Sequence, residues 1–181
     1  MTAFKIIAGI IGILLLAFVG FLGYSYYSYT EAFDTENKPF KHYVGYIDPE
    51  GAVLKDTFQL CNDGVIYHTY SSAGLKAYKD SKKRFRDVVM SDFNKNDFTD
   101  SGYLNFRFFV NCDGNPGMFE IIEMNLDLKE TPLDETMVDK LLHITAKSEN
   151  WEIIEYDDAP KNYYMYVSYR IENGKITEII P

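Results

Sequence analysis

The sequence predicts an α+β fold, an antiparallel sheet with two helices on one face, joined to an N-terminal transmembrane helix and an extra β-hairpin. Three observations carry this expectation. Residues 4–23 are an almost unbroken apolar run, FKIIAGIIGILLLAFVGFLG, in which Lys5 is the only charge. Two stretches with apolar residues at helical spacing, 75–93 and 131–147, each precede a pair of strand-like stretches. Asn62-Asp-Gly64 and Asn173-Gly174 mark turns within the first and last strand pairs.

The apolar run comes first. A helix of about 20 residues is roughly 30 Å long, the thickness of a bilayer's hydrocarbon core. Lys5 and the terminal amine precede it, whereas Glu31, Asp34 and Glu36 follow. The positive-inside rule therefore puts Met1 in the cytoplasm and the rest outside. Tyr24-Ser-Tyr-Tyr-Ser-Tyr29 supplies the aromatic belt expected where a helix leaves lipid. Residues 1–29 are thus a cytoplasmic stub, an anchor and a belt. The rival is a cleaved signal peptide, whose apolar region is usually about 7–15 residues and ends in a small-residue site. This run is longer, and Gly23-Tyr-Ser25 is a poor site. Ala8, Gly9 and Gly12 would let a second helix approach closely.

Composition bounds what the remainder does. It leaves about 150 residues, enough for one domain and a short leader. Asp and Glu outnumber Lys and Arg by 27 to 18, a net charge of −9. That balance argues against nucleic acid as a partner and disfavours lying flat on anionic lipid. Fifteen Tyr and 13 Phe favour strands. Cys61 and Cys112 are an even pair outside the cytoplasm, so a disulfide is expected; two buried thiols are the alternative. Closing a loop of about 50 residues would stabilise the fold by roughly 4 kcal/mol on chain-entropy grounds.

Along the chain, residues 30–52 carry Pro39, Pro49 and Gly51 and read as a short leader. Residues 53–71 read as the extra hairpin, with arms Lys55–Cys61 and Val65–Tyr70. In the first helical stretch Leu75, Tyr78, Phe85, Val89 and Phe93 share a face. Lys76, Lys79, Lys83 and Arg86 form a neighbouring ridge, which reads as a solvated face before a dock for an acidic partner. Residues 102–112 alternate as a strand, Asp113–Gly117 turns, and 118–125 is the next strand. Thr131 as N-cap, Pro132 at N1 and Asp134 at N3 predict a helix start. Met137, Val138, Leu141, Leu142 and Thr145 are its buried side. After Trp151 and an acidic loop through Asp157-Asp158, residues 163–171 and 175–180 form a hairpin.

Chemistry-bearing patterns are sparse. His42, His68 and His143 stand apart, without zinc spacing, and no nucleophile-elbow, Walker or dinucleotide pattern occurs. His68 beside a Tyr-rich strand reads as an ordinary histidine. Asp92 to Asp97 resembles a calcium loop in its first oxygens, but Asp97 replaces the required Gly and Tyr103 the closing Glu. The expectation is a protein without catalysis, cofactor or metal.

From residue 72 to 181 the order of landmarks resembles the C-terminal domain of TonB-like proteins of the bacterial envelope. GYLNFRFFVNCDG over 102–114 looks like that family's first strand and turn. Leu133-Asp134 opens a helix that ends before Trp151, like its second helix and following tryptophan. Ala159-Pro160 and Tyr163–Ile171 match its closing segment and last strand. The resemblance implies an inner-membrane, single-pass protein with its C-terminal domain in the periplasm. It also implies that a peptide from an envelope partner, such as an outer-membrane receptor, adds to a sheet edge. Tyr164, Tyr166, Tyr169 and Lys175 are the edge candidates. An energy transducer for outer-membrane transport is the alternative in this class; an anchored hydrolase or ligand sensor is the alternative outside it. The short leader, the lack of Ser and His in residues 4–23, and a last strand able to fill the edge all depart from a transducer.

Overall fold

The computed structural model describes residues 2–33, 46–61, 64–69, 76–93 and 98–180. They form two compact units that divide between Tyr46 and Ile47.

The first unit holds α1, Thr2–Phe33. Within it the 27 residues Phe4–Thr30 are long and apolar enough to cross a membrane, and none is buried. A helix apolar all round has no use for water on any face. The aromatic belt stays helical, and so do the first residues of the expected leader, to Phe33. Residues 34–45 of the leader lie outside the described residues.

In the second unit the described residues build a five-stranded sheet. Its strands are β1 (Ile66–His68), β2 (Gly102–Val110), β3 (Pro116–Met124), β6 (Asn162–Glu172) and β7 (Lys175–Ile180). β2 lies between β3 and β6, antiparallel to both. On the other side of β6, β1 runs parallel opposite 162–164 and β7 antiparallel opposite 168–172. Helices α2 (Lys82–Phe93) and α3 (Glu135–Thr145) and the small hairpin β4–β5 (Glu155–Tyr156, Ala159–Pro160) complete the unit.

Strand alternation sends Leu104, Phe106, Phe108 and Val110 of β2 into one core with Tyr163, Met165, Val167, Tyr169 and Ile171 of β6. Phe85, Val89 and Phe93 of α2 and Met137, Leu141 and Ile144 of α3 close that core. The strand-strand-helix-strand-strand order over 102–180 is as expected. Asn173 and Gly174 both have positive φ, +51° and +71°, as a type I′ turn demands. A Cβ on Gly174 would also overlap the Phe98 carbonyl.

Four expectations are corrected. The sheet is mixed, because β1 is parallel. Among the described residues of 53–71 no hairpin pairing forms: Ile66–His68 is a strand paired with β6, and Val53 makes an isolated bridge to Phe119. The turn itself closes, Gly64 N–H donating to Cys61 O (3.2 Å), but the flanking segments pair elsewhere; Asn62, Asp63, Tyr70 and Leu75 lie outside the described residues. The helical stretch expected over 75–93 is broken: Lys76 is helical, 77–81 are not, and α2 runs Lys82–Phe93. Tyr78 is instead bridged to Trp151, with Lys79 N–H donating to Asn150 O (3.0 Å) and Glu152 N–H to Ala77 O (2.9 Å). Asp80 then turns with φ +64°, and Ser81 Oγ accepts Arg84 N–H (3.1 Å) as α2 begins. Finally, α3 is capped by Asp134 rather than Thr131; its Oδ1 accepts Met137 N–H at 2.9 Å. Thr131 is diverted, its N–H donating to Glu123 O. Asp134→Ala is expected to cost about 1 kcal/mol in a urea melt, the usual value of a cap.

Burial pushes the phenols of Tyr163, Tyr169 and Tyr78 far above their ordinary value near 10, with Glu152 adding to the shift at Tyr163. A group whose folded pKa is raised contributes stability that is complete below its unfolded pKa and is lost as pH climbs above it. Urea midpoints should therefore hold up to about pH 10 and fall steeply beyond it. The phenolate absorbance of these three buried rings should appear only together with unfolding.

Candidate partner-binding surface

Among the described residues, the face of the sheet opposite the helices is covered at one end. Residues 47–61 and 64–66 cross it as a strap: Ile47 and Ala52 are buried with Phe109 and Tyr164, and Phe58, Ile66 and Met118 pack around them. Phe58 lies so close over Gly117 that a Cβ there would overlap its ring. The later part of the expected leader, from Ile47, is thus part of the domain.

Three polar devices hold the strap. Cys61 and Cys112 form a disulfide, with Cα atoms 5.9 Å apart. The buried Asn162 amide accepts Cys61 N–H (2.9 Å) and donates to Cys61 O (2.9 Å) and Val65 O (3.2 Å). Asn111, also buried, donates to Gln59 O at 3.1 Å. Both asparagines were invisible to periodicity; their one signal is a residue type that strands disfavour.

Beyond the strap lies a cross-strand row, Glu120–Arg107–Tyr166. Arg107 pairs with Glu120 at 2.6 Å, and both side chains are about four-fifths covered, at 17% and 21% exposure. Arg107 Nε–H donates to Tyr164 Oη (3.0 Å) and its guanidinium lies 5.9 Å from that ring's centre. Burial raises the Tyr164 phenol pKa, and Arg107 opposes the rise. His68 and Tyr166 flank the ring at 6.0 and 6.3 Å. A carboxylate matched to a guanidinium at this distance is a charge-assisted pair.

The four edge candidates separate. Tyr164 and Tyr169 are buried, at 4% and 0% exposure, and the Tyr169 hydroxyl sits 2.8 Å from Thr145 Oγ1 in the core. Tyr166 is 38% exposed on the open face, and Lys175 is exposed on β7, opposite Glu172. The expected edge on β6 is largely taken: on that side β1 pairs with 162–164 and β7 with 168–172, and neither pairs with 165–167. The real edges are guarded. On β3, Phe119 exchanges both main-chain bonds with Val53 (2.9 Å each), and Glu123 O accepts Thr131 N–H. On β7 a register shift opposite Arg170/Ile171 interrupts the strand, and Lys175 and Glu178 add charge. Bulges and charges of this kind deter strand addition.

The remaining candidates resolve plainly. Cys61, Cys112 and Asp113 bring ligand atoms within 4.8 Å of one another, but the disulfide removes both sulfurs from thiolate chemistry. His42 lies outside the described residues, and His143 is exposed on α3. Asp92 belongs to α2 and pairs with Lys147 (3.6 Å); residues 94–97 of the calcium-like stretch are not described. Asp157 and Asp158, both with positive φ, are the turn of the β4–β5 hairpin.

The basic ridge is broader than its helical spacing suggested. Lys82 and Arg84 join Lys76, Lys79, Lys83 and Arg86, because α2 starts at Lys82 and its first three residues are all cationic. Lys83–Asp87 and Arg84–Asp80 are exposed pairs at 3.2 Å. Arg84 also donates to Glu149 O (3.2 Å). Comparisons with protein families, with curated proteins and with solved structures return no match for this chain.

Proposed function

We propose that α1 is a retained single-pass anchor in a bacterial inner membrane and that residues 47–181 are a non-catalytic binding domain in the periplasm, engaging a protein or peptide partner. The observation that carries this reading is the pairing of a 27-residue apolar helix, wholly unburied, with a separate compact unit closed by a disulfide. The bond suits an oxidising compartment, and an ion-paired polar row on a sheet face suits recognition. Kinship with TonB C-terminal-like domains belongs to the same reading, supported by the order of β2, β3, α3, Trp151 and β6.

Photo-cross-linking side chains placed at Tyr166, Lys175 and Lys83 in intact envelopes test it. Capture of a discrete envelope protein from at least one position is the expected result. Recovery of the chain alone from all three would remove the binding role.

A further inference from the structure

We propose that the basic surface made by Lys76, Lys79, Lys82, Lys83, Arg84 and Arg86 is the docking site for an acidic segment of a partner protein. The inference rests on the binding role proposed above and names the partner's chemistry.

Charge is concentrated here far beyond what a solvated face requires. Residues 76–87 carry six of the chain's 18 Lys and Arg but only two of its 27 Asp and Glu, so a chain of net −9 holds a local +4. The position is unfavourable for the fold. The first turn of a helix exposes unpaired N–H groups and the positive dipole end, so acids stabilise it and cations do not. α2 has no acid in that turn. Its packing does not call for the cations either, since Phe85, Val89 and Phe93 supply its buried face. The two internal pairs are exposed i,i+4 contacts and neutralise little. Lys82 is half-buried; desolvation lowers its pKa, Glu178 opposes that shift and the neighbouring Arg86 adds to it. A sequence that accepts these costs has a reason outside its own stability.

The acidic remainder of the chain argues against an anionic bilayer as the occupant. Residues outside 76–87 sum to −13, and a broad anionic surface would meet that charge along with the patch. A narrow acidic segment meets the patch alone.

The test uses the full chain in nanodiscs of zwitterionic lipid, with two probes carrying an uncharged dye, a Glu-Gly repeat peptide and its Lys-Gly counterpart. The acidic probe should bind at least about tenfold more tightly than the basic one and weaken severalfold as salt shortens the screening length. Lys83→Glu/Arg86→Glu should abolish the preference while melting normally, because acids suit that helix start. Lys129→Glu/Lys140→Glu, an equal change in total charge elsewhere, should preserve it. Equal binding of both probes, or equal loss in both double variants, would overturn the proposal. So would loss of acidic-probe binding when the nanodisc is made anionic, since lipid would then own the surface. If cross-linking still captures a partner in that event, the binding role stands and only this site falls.

Discussion

Trp151→Ala is expected to lower the stability of the domain by about 3–5 kcal/mol, a large share of the roughly 5–15 kcal/mol a domain usually has. Trp151 is 2% exposed and packs its ring against Tyr78, Phe85 and Phe108, at 5.4, 5.4 and 4.9 Å between centroids. Its Nε1–H donates to Thr145 O at 2.8 Å, tying the end of α3 to the loop. The main-chain bonds on either side, from Lys79 to Asn150 and from Glu152 to Ala77, stitch the segment before α2 to the same place. One side chain therefore joins both helices to the sheet. Trp151→Phe keeps much of the packing but leaves Thr145 O without its donor, so its loss should be smaller, about 1–3 kcal/mol. Because this is the chain's single tryptophan, wild-type fluorescence reports on it alone, and the variants are followed by circular dichroism. A loss below about 1 kcal/mol for the alanine variant would mean that the core does not close on this ring.

Removing the Cys61–Cys112 bond, by reduction or as Cys61→Ser/Cys112→Ser, should cost about 2–5 kcal/mol. The bond closes a separation of 51 residues and ties the strap to the end of β2. Its loss should not fall evenly. Hydrogen exchange is expected to accelerate first at Val53, Phe58 and Cys61, while the amides of 104–108 keep their order of protection. Asn162→Ala in the disulfide-free chain should then release the strap further, since that amide alone carries three contacts to Cys61 and Val65. If the double serine variant melts like the wild type, the strap is held by its apolar contacts, Ile47, Ala52 and Phe58, and the bond is redundant.

Much of the architecture was legible because it follows from periodicity. Residues 102–110 alternate so strongly that only a half-buried strand fits, and Asn173-Gly174 names its own turn. The apolar helix needed nothing beyond counting. What failed was long-range. Nothing in residues 55–61 tells a strand from a strap, because strap residues such as Phe58 are apolar for burial against Gly117 and Met118 rather than for pairing. Tyr78 fell on the helical face of Phe85 by coincidence of spacing; it is buried through its bridge to Trp151 instead. The choice of Tyr164 and Tyr169 as edge residues followed the resemblance, in which Tyr163–Ile171 matches the family's last strand, and β1, a three-residue parallel partner some 100 positions earlier, could not be read from local pattern. The cationic first turn of α2 was masked by the same early start assigned to that helix.

The measurement that bears most directly on the anchored-domain reading is protease accessibility of the C-terminus in spheroplasts, with the intact mass of the membrane-extracted chain. A tag placed after Pro181 should be digested from outside, while the chain resists alkaline extraction and its mass includes residues 4–30. A tag protected until the membrane is breached, or a mature chain beginning after the apolar helix, would contradict the reading.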